Sequence, residues 1–384
     1  MERYESYKDS GIEWIGKIPS HWGIIPLKRI MQIRNGQDYK LYTDNDRYPV
    51  IGSGGCFAYC SRFLYDGEAL LLGRKGTIDK PLYIKGRFWV VDTMFYAVPK
   101  IALNVRYCYY QALTIPFDKY STSTALPSMT QTDLGYHIFC LPPFVEQQAI
   151  VAYLDKRCSE IDKAIATQQK RIALLQELKQ SIITHAVTQG IHSDVPLKDS
   201  GVEWIGKIPS HWDIIPLKRI MQIRNGQDYK LYTDVDRYPV IGSGGCFTYC
   251  SKYLYDGEAL LLGRKGTIDK PLYIKDRFWV VDTMFYAVPK ILLSVKYCYY
   301  QALTIPFDKY STSTALPSMT QTDLGYHIFC LPPFVEQQAI ATYLDRRCSE
   351  IDKAIATQQK RIALLQELKQ SIITEVITGK IKVC

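Results

Sequence analysis

The sequence predicts an α+β protein: two near-identical strand-rich globules separated by two long antiparallel α-helices, a coiled-coil spacer with approximate twofold symmetry. Three observations carry this. First, DSGIEWIGKIPSHW from Asp9 returns as DSGVEWIGKIPSHW from Asp199. A shift of 190 positions aligns residues 8–184 with 198–374 without a gap and with thirteen mismatches. A period of that length is the size of a domain, far beyond the 20–50 residues of a stacked repeat. Second, residues 31–100 hold short β-branched and aromatic runs (YPVIGSGG, EALLLGRKGT, PLYIKG, RFWVVDTMFYAVPK) separated by glycine turns. Third, residues 144–184 form a 41-residue stretch without Gly or Pro, and the second copy repeats it at 334–374.

The elements follow in order. Residues 8–30 form a leading segment pinned by Trp14, Ile15, Ile18 and Trp22 and broken by Pro19 and Pro26. The strand-rich region then gives way to NVRYCYYQAL at 104–113, which reads as a helix. A polar loop at 118–135 leads to a last strand, YHIFCLP, ending at Pro142. Pro142 and Pro143 mark where a helix can begin, and Gly190 lies beyond its end. Ile150, Leu154, Ile161, Ile165, Ile172, Leu175, Leu178 and Ile182 recur at threes, fours and sevens. Ile351, Ile355, Ile362, Leu365 and Ile372 repeat the stripe in the second copy. A continuous helix would reach about 60 Å at 1.5 Å per residue, too long for one globule to cover, with a kink allowed near Asp155. Two such stripes can bury each other, and Ile161, Ile165, Ile172, Leu175 and Ile182 are expected to pair with their counterparts. The competing arrangement packs each helix on its own globule. The domain boundaries expected are 1–142 and 191–332 for the globules, 143–190 for the first helix, and 333–384 for the second helix and tail.

Composition narrows the class. At 384 residues with 47% hydrophobic content, each repeat can bury its own core. No run of about 18 apolar residues predicts a membrane span, and the polar start MERYESYKDSG argues against a signal peptide. An intracellular, cytoplasmic protein without a membrane partner is expected. The eleven cysteines are five per repeat plus Cys384, which fits reduced thiols. Cys56 and Cys60 (Cys246 and Cys250 in the second copy) lack the companion ligands of a zinc site, so no metal is expected. The net charge of +9 favours a polyanionic partner.

No catalytic frame is complete. LPPF at 141–144 and 331–334 resembles the Asn/Asp-Pro-Pro-aromatic motif of amino methyltransferases, but leucine cannot accept a hydrogen bond from a target amine. GRKGT at 73–77 lacks the GxxxxGK[ST] frame of a phosphate loop, and GSGG at 52–55 is not GxGxxG. ELK at 177–179 lies in the helical stripe with no Pro-Asp before it, and His21 has no nucleophile in frame. A non-enzymatic protein with no cofactor of its own is expected.

Two equivalent heads on a spacer suit DNA, whose strands are related by local twofolds. Each head then needs phosphate donors, base readers and glycines for close approach. Three loop-like stretches supply them. RNGQDYK at 34–40 offers Arg34, Asn35, Gln37 and Lys40, with Arg224, Asn225, Gln227 and Lys230 in the second copy. GRKGT offers Arg74, Lys75 and Thr77, matched by Arg264, Lys265 and Thr267. STSTALPSMTQT at 121–132 offers the hydroxyls of Ser121, Thr122, Ser123 and Thr124 together with Gln131; its copy offers Ser311, Thr312, Ser313, Thr314 and Gln321. Adjacent cations between glycines, as in GRKG, are poorly explained by packing.

In these features the chain closely resembles the specificity subunit of type I restriction–modification systems. DSGIEWIGKIPSHW, IGSGG, GRKGTI, ALPSMTQTDL and LPPFVEQQAI…YLD…IDKAI…LLQELKQSIIT are typical of that family, in order and in both copies. The resemblance implies that each globule is a target recognition domain and each helix a conserved spacer region. It implies two modification subunits that methylate adenine with S-adenosylmethionine, and ATP-driven restriction subunits, both cofactors residing on those partners. Family members commonly carry two dissimilar recognition domains, whereas the heads here are nearly the same. The expected target is therefore a bipartite inverted repeat. Of the non-conservative mismatches, Gly23/Asp213, Asn45/Val235 and Gly86/Asp276, none falls in the three candidate stretches. The competing functions are a stand-alone twin-headed DNA-binding or architectural protein, and a scaffold whose heads bind acidic proteins.

Overall fold

The computed structural model describes residues 3–43, 47–120, 127–234, 236–310 and 317–383. The chain divides into two compact units, one of Met1–Gln168 with Lys360–Cys384 and the other of Gln169–Gln359. Each unit therefore combines one globule with parts of both long helices.

In the first unit the leading segment forms β1 (Tyr7–Asp9), β2 (Lys17–Pro19), β3 (Gly23–Pro26) and the short α1 (Leu27–Ile30). Ile15, Ile18 and Trp22 are buried, as the apolar spacing predicts. A six-stranded sheet follows, built from β4 (Met31–Asn35), β5 (Tyr48–Gly52), β6 (Gly55–Cys60), β7 (Tyr65–Gly73), β8 (Leu82–Val90) and β9 (Met94–Pro99). Its order is β4-β9-β7-β8-β5-β6, antiparallel except for the β5–β8 pair. The run ALLL in β7 is continuous because both faces are covered. Leu70 and Leu72 join one cluster with Phe95 and Cys108, while Ala69 and Leu71 join another with Phe88 and Tyr96.

The helix expected at 104–113 is α2 (Val105–Ala112), whose N-cap Asn104 accepts from the backbone N–H of Arg106 and of Tyr107. The stretch 118–135 is not a plain polar loop: its last residues form most of α3 (Gln131–Tyr136), capped by the Thr130 side chain on Asp133 N. A Thr-x-x-Asp spacing related to the capping box was the signal for it. The last strand, β10 (Ile138–Leu141), pairs with β3 and ties the end of the globule to its beginning. Beside it, Trp14 stacks on the buried His137 ring at 5.3 Å. The Tyr120 hydroxyl lies 2.8 Å from His137 Nδ1, and burial pushes that imidazole down to about 4, so it stays neutral.

Helix α4 (Phe144–Gln189) runs 46 residues and passes Asp155 without a break. It stops where Gly190 takes φ +81°. In the first unit its beginning packs on its own globule and also on the end of the C-terminal helix (Phe334–Ile377). Ile150, Leu154 and Ile161 share one cluster with Trp22, Tyr107, Ile372, Val376 and Ile377. Glu146 accepts the Trp22 indole N–H at 2.9 Å, and a Cβ on Gly379 would come within 3.2 Å of the same ring. Further along, Lys369 pairs with Asp162 at 2.8 Å. The two helical segments of this unit are therefore antiparallel. The second unit repeats the pattern by itself: Ile183 and Val187 pack with Trp212, Tyr297, Ile340 and Leu344, and Lys179 pairs with Asp352 at 2.7 Å. Of the pairing positions, Ile161, Ile351 and Ile372 are buried; Ile165, Ile172, Leu175, Ile182, Ile355, Ile362 and Leu365 are half-buried. Leu178 departs from the expected stripe and is 46% exposed. The two expected arrangements thus coexist: each helix starts on its own globule and ends against the other repeat's.

Among the described residues, the strands of the second globule depart from those of the first around Asp276. In the first, β7 and β8 pair without interruption through Gly67 and Gly86, at φ +148° and +105°. In the second, Asp276 replaces Gly86, takes φ +75°, and the ladder breaks into Leu272–Ile274 and Arg277–Val280. Positive φ costs a residue with a Cβ about 1–2 kcal/mol, and the strand gives way there. No described helix is long and apolar enough to cross a membrane.

Candidate nucleic-acid interface

Two of the three candidate stretches, and the described part of the third, converge at one end of the sheet. The start of β9 is the meeting point. Met94 pairs with Gly73 of β7, and Phe95 pairs with Asn35 of β4. Gly36 N–H donates to Met94 O at 3.0 Å, and the N–H groups of Arg74 and Lys75 both donate to Thr93 O, at 2.9 and 3.1 Å. The GRKG loop then meets the third stretch. Gly76 N donates to Pro127 O at 2.8 Å, Met129 N donates to Arg74 O at 3.0 Å, and Lys75 bridges Ser128. Gln131 Nε2 donates to Ile33 O at 2.6 Å, fastening α3 to the outer edge of β4.

Glycines set these approaches. A Cβ on Gly36 would lie 2.0 Å from Val91 O, and one on Gly73 2.4 Å from Thr77 O. Gly76 has φ +80°. These backbone bonds leave the side chains to the surface: Asn35, Gln37, Lys75, Thr77 and Gln131 are exposed. The Arg34 guanidinium is steadied by Gln32 Oε1 at 2.6 and 3.2 Å and lies near the Tyr65 and Tyr96 rings. The Arg74 guanidinium donates to Asp92 O at 3.2 Å. Among the described residues, no carboxylate forms an ion pair with Arg34, Arg74 or Lys75.

Some expectations need correction. Arg34 and Asn35 belong to strand β4, not to a loop. Lys40 opens a 3-10 turn, Lys40–Tyr42, with its N–H on Asp38 Oδ1, and among the described residues no hydrogen bond ties it to the other candidates. That turn's tyrosines pack around Val50, Cys60 and Trp89 instead. Ser121, Thr122, Ser123 and Thr124 lie outside the described residues, as do Ser311, Thr312, Ser313 and Thr314.

The second unit has the same arrangement. Asn225 and Gly263 pair with Phe285 and Met284. Gly266 N donates to Pro317 O and Met319 N to Arg264 O. Gln321 Nε2 reaches Ile223 O at 2.8 Å. Arg224 is held by Gln222, Gln227, Lys265 and Arg264 occupy equivalent places, Thr267 is half-buried, and Lys230 again opens a separate 3-10 turn.

A strand-rich head presenting cations, amides and close-approach glycines, made twice and mounted on long helices, defines a duplicated recognition module. The chain belongs to the type I restriction modification DNA specificity domain family, which it matches over residues 19–176 and again over 209–367. It is similar to two proteins of Methanocaldococcus jannaschii. One is the putative type I restriction enzyme MjaX specificity subunit, 27% identical over an alignment of 447 residues that covers 96% of each chain. The other is the type I restriction enzyme MjaVIII specificity subunit, 26% identical over 361 residues, covering 83% of this chain and 78% of that one. Among solved structures, a chain described under complex assembly and conformational transition of the type I R-M system shares the fold. Its TM-score is 0.73 at 15% identity, over 95% of this chain and 99% of that one.

Proposed function

We propose that this chain is the non-catalytic DNA-reading subunit of a type I restriction–modification complex, and that its two heads read one word in opposite senses. The observation that carries the reading is the repetition of the whole candidate surface. The residues at 34–40, 73–77 and 121–132 recur unchanged at 224–230, 263–267 and 311–322, so both heads offer the same donors and acceptors to base edges. The target is then a short word, a gap of fixed length and the reverse complement of that word. S-adenosylmethionine and ATP belong to the partners in this reading: two modification subunits that methylate adenine, and restriction subunits. The family match does not favour a stand-alone DNA-binding protein.

Co-expression with a modification subunit tests the assembly. The chain is expected to purify with that subunit in fixed stoichiometry. A chain that purifies alone, soluble and able to bind DNA, would contradict the role as a subunit.

A further inference from the structure

We propose that a basic cleft on the outer edge of β4, present once in each head, holds a phosphodiester of the DNA backbone beside the base-reading surface. The proposal rests on the DNA-reading role above and extends it to residues outside the three candidate stretches.

The cleft of the first head encloses about 440 Å³ between β4, α1 and α3. Lys28, Lys100, Gln32, Gln131, Thr132 and Tyr136 supply its polar lining, and no acidic side chain lines it. Both lysines are held in place. Lys100 Nζ donates to the Lys28 carbonyl at 2.6 Å, and Lys28 Nζ lies 3.3 Å above the centre of the Tyr136 ring. A Cβ on Gly135 would come within 3.3 Å of Lys28 Cβ, so glycine there lets the lysine stem lie close against α3. Neither ammonium forms an ion pair among the described residues, unlike Lys85 on Glu68 or Lys369 on Asp162. A hydrogen bond from Lys28, and then its charge, hold the Tyr136 phenol below its usual range.

The second head keeps every part. Lys290 Nζ donates to Lys218 O at 2.7 Å, Lys218 Nζ lies 3.3 Å above the Tyr326 ring, and the cleft again encloses about 440 Å³. Two fixed ammonium groups with amide and hydroxyl donors, and no counter-charge in the wall, match the two non-bridging oxygens of a phosphodiester. Gln131 belongs to this cleft and to the candidate surface, through its bond to Ile33 O, so the two are continuous. Contacts of this kind position the duplex and carry no sequence information.

The test uses the full chain and a DNA duplex lacking the target word, with affinity measured across a salt series. Replacing Lys28, Lys100, Lys218 and Lys290 by alanine is expected to flatten the slope of log affinity against log salt by about 1.8, one phosphate per cleft. The ratio of specific to non-specific affinity stays unchanged. Arginine at the same four positions restores the slope, and glutamine gives the alanine result if the alanine protein folds poorly. An unchanged slope in a variant whose parent binds DNA with normal salt dependence overturns the cleft alone. Saturable binding of inorganic phosphate, with the DNA slope intact, identifies a small-anion site and also overturns it. A parent chain without salt-dependent duplex binding removes the DNA-reading role and the cleft together.

Discussion

Replacing Gly36 by alanine is expected to destabilise the first head by about 3 kcal/mol or more, at the upper end of what overpacking costs. The added Cβ would lie 2.0 Å from Val91 O and 2.7 Å from Val90 O. Both are backbone atoms, so no side-chain rotation relieves the clash. Gly36 is itself buried, its N–H on Met94 O, and the next residue donates to Val90 O at 2.8 Å. The chain cannot move off without breaking the bonds that bring Asn35 and Gln37 to the candidate surface. Thermal unfolding should show an early transition in Gly36→Ala, and Gly226→Ala should behave alike, since its Cβ would meet Val281 O at 2.0 Å. DNA affinity for the paired target should fall toward that of one head. A variant that melts with the parent and keeps full affinity would mean that the close approach is absent.

Replacing Lys75 and Lys265 together by alanine is expected to act on binding while leaving the fold intact. The bonds that shape the GRKG loop come from its backbone: Lys75 N to Thr93 O, Gly76 N to Pro127 O, and Arg74 O from Met129 N. The ammonium takes no part in them, and the residue is exposed. If each lysine neutralises one phosphate, the log–log salt slope falls by about 1.8 in the double variant. Between 50 and 200 mM salt that difference amounts to about tenfold in relative affinity, by the same relation. Filter binding or fluorescence anisotropy across that range reads it directly. An unchanged slope would mean that these lysines do not touch the backbone.

Local signals carried much of the architecture. The 190-residue shift, the Gly- and Pro-free stretch after Pro143 and the strand-like runs each announce an element, because the periodicity and turn chemistry involved are short-range. Leu178 continues the spacing of threes and fours and yet lies exposed, because one helix face can only cover what lies opposite it. The candidate surface was legible as three separate stretches. Their meeting depends on pairings between residues about 20–60 positions apart, Gly73 with Met94 and Asn35 with Phe95, which no local pattern encodes. The same limit applies to Lys40: six residues from Arg34 in sequence, it opens the 3-10 turn Lys40–Tyr42, whereas Arg34 lies in β4. The lysine cleft is not legible in the sequence because Lys28, Lys100 and Tyr136 lie in three separate stretches, none of which signals a site alone. Asp276 was visible as a charge change, but the positive φ of its position, open to Gly86 and costly for a residue with a Cβ, was not.

The central claim is that two matched heads read one word in opposite senses. Single-molecule methylation sequencing of DNA from cells expressing this chain with its modification subunit measures that claim most directly. The expected result is methylated adenines in a single short word and in its reverse complement, separated by a gap of constant length. Two unrelated half-sites would contradict the account.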